Sequence, residues 1–189
     1  MNQQQSNILN IRNKFMSQRK VLCTGNPDKS GTIASGIKEL YPDATFIHLS
    51  KGYDFCNLGN KLQSLEKLFQ SHNTFINASY VKGAQINLLD ICYKNMKIGD
   101  VFNIGSTHEY DGLGSDSYRL NKLKLRENSL NFNSFRFQTC HIIVGGIDIG
   151  VAESREWIKP KQIAELINWI TLQKFKMPII SIDQPKQPW

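Results

Sequence analysis

Residues 21–40, VLCTGNPDKSGTIASGIKEL, read as a strand, a turn and a helix in succession. Val21 to Gly25 is a short, continuously apolar run closed by a glycine, the pattern of a buried strand entering a turn. Asn26 to Gly31 is polar and holds the turn formers Asn, Pro, Asp, Ser and Gly. From Thr32 to Tyr41, Ile33, Ile37 and Leu40 recur at helical spacing, and Pro42 ends the run. A glycine-bearing turn between a first strand and a helix start is a phosphate site in many folds, because unpaired backbone N–H groups and the helix dipole favour an anion there. A plain strand-to-helix turn fits the same residues.

Working outward, the alternation continues. Further strands are predicted over 45–49, 74–78, 101–104, 136–144 and 179–182, and helices over 61–71, 84–96, 118–128 and 160–171. The strands are short and apolar on both sides, as in a parallel sheet covered on both faces. The class is α/β, a doubly wound, mainly parallel sheet in a single domain over residues 20–182. An N-terminal extension (1–19) precedes it and an irregular tail (183–189) follows. Ligands in such sheets sit beyond the carboxyl ends of the strands. Those ends carry Thr24-Gly25, Ser50-Lys51, Asn77-Ala78-Ser79, Gly105-Ser106 and Gly145-Gly146, all small or polar groups suited to line a cleft.

Composition narrows the function. A chain of 189 residues holds one domain with a real core. Its 40% hydrophobic and 10% aromatic content argues against a disordered chain, and no apolar run approaches the roughly 20 residues of a membrane helix. The net charge of +7 is scattered rather than clustered, so it points to an anionic cofactor or substrate ahead of nucleic acid. Cys23, Cys56, Cys92 and Cys140 form no C-x-x-C pair, and His48, His72, His108 and His141 form no H-x-x-x-H pattern; no metal is expected. The opening MNQQQSN lacks the features of a secretory signal, and the basic, acid-free stretch 8–20 is read as a surface lead-in to the first strand rather than a transit peptide. A reducing, cytoplasmic setting is expected.

Tyr118 and Lys122 stand four apart on a predicted helix and share a face. An ammonium beside a phenol favours the phenolate, and a tyrosine so poised passes a proton to or from a carbonyl or alcohol oxygen. The pattern is common by chance, and Tyr93 and Lys97 repeat it. Context separates the copies. Tyr118 follows Ser106 by 12 residues across a polar, glycine-rich loop, whereas Tyr93–Lys97 runs straight into a strand over Ile98-Gly99-Asp100.

The ordered set Thr24-Gly25…Gly31, Asn77-Ala78, Asn87, Ser106, Tyr118-x-x-x-Lys122 and Gly146 resembles the short-chain dehydrogenase/reductase family, over about residues 20–172. The resemblance implies a Rossmann fold that binds NAD or NADP and transfers a hydride to or from a small carbonyl or secondary alcohol. By resemblance, Thr24, Gly25 and Gly31 border the cofactor pyrophosphate, Asn77-Ala78 back the adenosine ribose, and Gly146 matches the glycine after the next strand. Asn87 corresponds to the asparagine holding a relay water. Ser106 binds the substrate oxygen, Tyr118 is the acid/base, and Lys122 binds the nicotinamide ribose and lowers the tyrosine pKa.

The chain departs from the family's T-G-x-x-x-G-x-G. Its loop is two residues longer and Ile33 stands where the third glycine falls, which is expected to push the helix outward or shift its register. One helix and one strand of the usual fold are missing before Asn77. The second strand ends in Ser50-Lys51 with no acid, which suits the 2′-phosphate of NADP; Asp54 is then assigned to the adenine. Self-association as a homodimer or homotetramer is expected through the helices at 84–96 and 118–128. A second reading, favoured by the altered loop, is a dinucleotide-binding sensor or assembly module without turnover.

Overall fold

In the computed structural model, residues 19–49, 60–81, 83–111, 115–132, 136–148, 157–173 and 176–183 are described. Six strands form one sheet: β1 (Val21–Thr24), β2 (Thr45–Ile47), β3 (Thr74–Asn77), β4 (Gly99–Ile104), β5 (Phe137–Val144) and β6 (Ile179–Ile182). Every pairing is parallel and the order is β2-β1-β3-β4-β5-β6. Parallel neighbours require a crossover, and the intervening helices supply it. They are α1 (Ile33–Leu40), α2 (Asn60–Ser71), α3 (Ala84–Asn95), α4 (His108–Asp111), α5 (Asp116–Asn131) and α6 (Pro160–Leu172). The doubly wound fold read from the alternation is the observed one.

Each strand splits its side chains between two cores. On one face, Val21, Cys23, Ile76, Phe102, Ile104, Cys140, Ile142 and Val144 pack with Ile33 and Ile37 of α1 and Ile163, Ile167 and Ile170 of α6. On the other, Leu22, Phe75, Val101 and Phe137 pack with Leu65 and Phe69 of α2, Leu88, Leu89 and Cys92 of α3, and Leu125 of α5. Beneath α5 this second layer turns polar. Of α5 only Lys122, Leu125 and Ser129 are buried, and Asn103 of β4 donates to Ser129 Oγ at 3.0 Å while accepting from Asn77 Nδ2 at 3.0 Å.

The chain moves from β1 outward to β2, then returns to β3 on the other side of β1. That reversal is the topological switch, and it opens a crevice at the carboxyl ends of β1 and β3. No helix of the described residues is long and apolar enough to cross a membrane, and among those residues no group of His, Cys, Asp or Glu is set to hold a metal ion.

Candidate active site at the strand ends

At the switch, Thr24 acts as a clamp. It is fully buried, and its Oγ1 accepts the N–H groups of Ala78 at 2.8 Å and Ser79 at 2.9 Å. Both hydroxyl lone pairs are thereby spent on tying β1 to the segment after β3, so Thr24 shapes the crevice rather than lining it. Ala78 takes part through its backbone alone. Gly25 follows with φ 136°, and a Cβ there would lie 2.8 Å from the Ala34 Cβ and 3.0 Å from Ser79 Oγ. Only glycine fits that backbone and that gap.

The longer loop ends in a capped helix. Thr32 caps α1 by accepting from Ser35 N–H at 3.1 Å, and its hydroxyl donates back to the Lys29 carbonyl at 2.9 Å. Ile33 turns into the core, and the small residue facing the strand is Ala34, one position later. Gly31, at φ 70°, lies with Pro27, Ser30, Ser35, Lys38, Lys159 and Lys161 on a cavity of about 670 Å³ between the starts of α1 and α6.

At the end of β4, Ser106, Tyr118 and Lys122 converge. Ser106 is buried, and its side chain lies near enough to Tyr118 to draw the phenol's pKa down. The Lys122 ammonium lies 5.5 Å from the centroid of the Tyr118 ring and, equally, 5.5 Å from that of Tyr80. Lys122 is 2% exposed and donates to Gln85 Oε1 and the Ile104 carbonyl, both at 2.8 Å. Burial depresses its pKa from 10.5 to about 8, while the Glu109 carboxylate pulls the other way.

Tyr118 behaves differently from the expectation that Lys122 lowers its pKa. Burial raises the phenol above its ordinary value, the Ser106 side chain draws it down, and Tyr80 and Glu109 raise it further. The reason is geometric: the ammonium faces the ring and spends its donors on Gln85 and Ile104, not on the phenol oxygen. Tyr80 packs edge-on against Tyr118 with centroids 4.6 Å apart.

Other expected site residues lie apart from this centre. Asn87 is half-buried on α3 and makes no hydrogen bond to the trio. Gln85, two residues earlier and so on nearly the opposite side of the helix, holds Lys122 instead and also donates to the Asn77 carbonyl at 2.7 Å. Asn77 is fully buried, with Nδ2 donating to the Gln85 carbonyl at 2.8 Å; it braces β3 against α3 and β4 and does not reach the crevice surface. Gly146 stands at the end of β5, but a Cβ there would meet the Trp157 indole at 2.7 Å, so its open side is filled by that ring. Ser50, Lys51 and Asp54 lie outside the described residues. Tyr93 is core: stacked on Phe132 at 4.0 Å and bonded to Thr139 Oγ1 at 2.8 Å, with burial driving its pKa well up.

Four residues escaped the sequence reading: Gln85, Tyr80, Glu109 and His141. Gln85 differs from the expected asparagine in type and position, so only the contact finds it. Glu109 lies on the single turn of α4, three residues after Ser106, and its Oε1 accepts the Ser106 N–H at 3.0 Å.

No protein-family model and no curated protein sequence matches the chain. Solved structures do match it in shape. A short-chain dehydrogenase/reductase of the glucose/ribitol dehydrogenase type from Brucella melitensis aligns at TM-score 0.64 and 13% identity, over 87% of this chain and 94% of that one. The acetoin dehydrogenase of Salmonella typhimurium aligns at TM-score 0.63 and 15% identity, over 88% and 96%. A short-chain dehydrogenase from Burkholderia cenocepacia in complex with NADP aligns at 0.60 and 13%, over 87% and 88%. At such identities the likeness establishes the fold: this chain has the Rossmann-type fold of the short-chain dehydrogenase/reductases.

Proposed function

We propose that this protein is an NADP-dependent oxidoreductase acting on a small carbonyl compound or secondary alcohol. The observation that carries the reading is the convergence of Ser106, Tyr118 and Lys122 at the end of β4, beside the switch-point crevice. Gly25 shapes the turn from within: it is buried, its N–H donates to the Ile47 carbonyl at 2.9 Å, and Ala34 and Ser79 fill the space a Cβ would take, which leaves the start of α1 as the place for a pyrophosphate. Gly31 and the start of α1 would hold the pyrophosphate, with Lys51 on the 2′-phosphate and Asp54 on the adenine. When bound, the nicotinamide supplies the hydride.

The chain's own groups manage the oxygen. The Ser106 hydroxyl holds the substrate oxygen, and Tyr118, whose pKa burial raises, donates its proton as negative charge develops there. Lys122, its pKa lowered to about 8 by burial, sets its ammonium against the face of the Tyr118 ring. Tyr80 and the ring of Tyr118 shield this ammonium from water.

Protein-sensitised cofactor fluorescence tests the reading: NADPH added to the purified protein is expected to bind, and more tightly than NADH. Loss of NADPH preference in Lys51→Ala supports the phosphate assignment; no binding of either cofactor overturns the oxidoreductase. The tie of Lys122 to Gln85 and Ile104 favours one second reading, a dinucleotide-binding module without turnover, which predicts binding and no rate with any carbonyl. The oligomer we propose forms through α3 and α5, and the setting we propose is cytoplasmic, where the free, buried Cys23, Cys92 and Cys140 stay reduced.

A further inference from the structure

Behind Ser106 lies a buried acid–base pair joining residues 32 apart in the chain. Glu109 and His141 both have fully buried side chains, and His141 Nε2 stands 2.9 Å from Glu109 Oε1. The same oxygen accepts the Ser106 N–H at 3.0 Å. A carboxylate oxygen only accepts, which matches a His141 tautomer carrying the proton on Nε2. Gly105 provides the room: a Cβ there would lie 2.3 Å from Glu109 Oε1 and 2.4 Å from His141 Nε2. The Arg126 guanidinium, one turn beyond Lys122 on α5, approaches Glu109 Oε2 to 3.6 Å, too far for a hydrogen bond.

Packing alone gives no reason for this pair. Burying a carboxylate costs several kcal/mol, and apolar residues of similar volume generally serve stability as well or better. Here Glu109 Oε2 and His141 Nδ1 are left without hydrogen-bond partners, which adds to the cost. The carboxylate is ion-paired with Arg126 through Oε2, and it also reaches the trio: its other oxygen grips Ser106, and its charge acts on Tyr118 and on Lys122.

We propose that Glu109 is a positioning residue of the Ser106–Tyr118–Lys122 site: oriented by His141, its carboxylate fixes Ser106 through the backbone N–H and sets a buried negative charge beside Tyr118 and Lys122. The inference rests on the reading of that trio as the reacting centre. The charge keeps Lys122 more fully an ammonium and keeps the proton on Tyr118, so the acid is loaded before substrate arrives. The other titratable groups around this charge are His141 from β5, Arg126 from α5, His108 and Tyr110 from α4, and Tyr80 from the segment after β3; all remain in place when Glu109 is changed.

The test titrates tyrosine absorbance near 295 nm in the intact protein, with the Tyr118→Phe curve subtracted to isolate Tyr118. Glu109→Gln keeps an acceptor oxygen and removes the charge. Its Tyr118 midpoint is expected to fall by on the order of half a pH unit or more, with the thermal melt little changed. An unchanged midpoint in folded Glu109→Gln overturns the proposal. His141→Gln, which retains an N–H donor toward Glu109, is expected to keep the wild-type midpoint; a fall as large as that of Glu109→Gln counts against His141 as a mere orienter. Should Glu109→Gln fail to fold, the wild type still decides, because the Ser106 amide proton gripped by a carboxylate is expected to resonate downfield and to resist exchange. A random-coil shift and fast exchange there overturn the grip. Neither readout uses cofactor or substrate, so failure here is separate from failure to bind NADPH.

Discussion

Tyr118 and Tyr93 each stand four residues before a lysine, yet their hydroxyls meet different surroundings. That of Tyr118 meets Ser106 at a half-buried strand end, while that of Tyr93 is bonded to Thr139 in the core. Tyr118→Phe is expected to leave cofactor affinity and melting temperature near wild type and to cut turnover by at least about a hundredfold, the usual share of a positioned acid. Tyr93→Phe is expected to do the reverse: rate nearly unchanged, stability lower by about 1 kcal/mol because Thr139 loses its partner. Paired kinetics and denaturant melts on the two variants read this out, and a rate loss confined to Tyr93→Phe rejects the assignment.

Lys122 makes a second prediction at this scale. Its pKa is about 8 in the fold and near 10.5 in the open chain. Between those values the unfolded state holds the extra proton, so raising the pH favours the folded state. Denaturant melts from pH 7 to 10.5 are expected to show wild type gaining up to about 3 kcal/mol relative to Lys122→Met. A flat difference between the two proteins rules out the depressed lysine.

Among the elements, the joint between β1 and β3 rests on one hydroxyl. Thr24→Val keeps the shape of the side chain and leaves the N–H groups of Ala78 and Ser79 without an acceptor. The expected cost is about 2–4 kcal/mol from the two unsatisfied groups, together with weaker cofactor binding, since the crevice opens at this joint. A melt within about 0.5 kcal/mol of wild type, inside the range of ordinary surface substitutions, excludes the clamp. The strands themselves were legible because buried parallel strands are short apolar runs, and Val21–Thr24 and Thr74–Asn77 end within a residue of where their apolar character stops. The helix α4 was not, since four residues carry no period. The site was half legible for a related reason. Ser106, Tyr118 and Lys122 lie within one strand-to-helix segment and carry a spacing, whereas Gln85 joins Lys122 across 37 residues and His141 joins Glu109 across 32, pairings that only the sheet order creates.

For the molecule as a whole, α5 poses the question of what covers its outer face. It runs 16 residues yet buries only Lys122, Leu125 and Ser129, two of them polar. A helix held mainly by hydrogen bonds beneath it gains little from the hydrophobic effect on its own sheet. Its outer side shows Leu120 at 57% exposure and Leu130 at 39%, and the half-buried Ile86 of α3 lies on the neighbouring helix. Exposed leucines in one region mark an association surface more often than chance. A second copy meeting α3 and α5 by two-fold symmetry would bury those leucines against their own counterparts and press α5 onto the polar layer that holds Lys122. The Leu120→Asp variant is therefore expected to be monomeric at micromolar concentration by sedimentation velocity while keeping its secondary structure, where wild type sediments as a dimer or tetramer. It is also expected to melt at lower temperature, because assembly and folding are linked. A wild-type protein that sediments as a monomer throughout that range rejects the interface, and leaves the Lys122–Gln85 and Asn103–Ser129 bonds as the principal hold on α5.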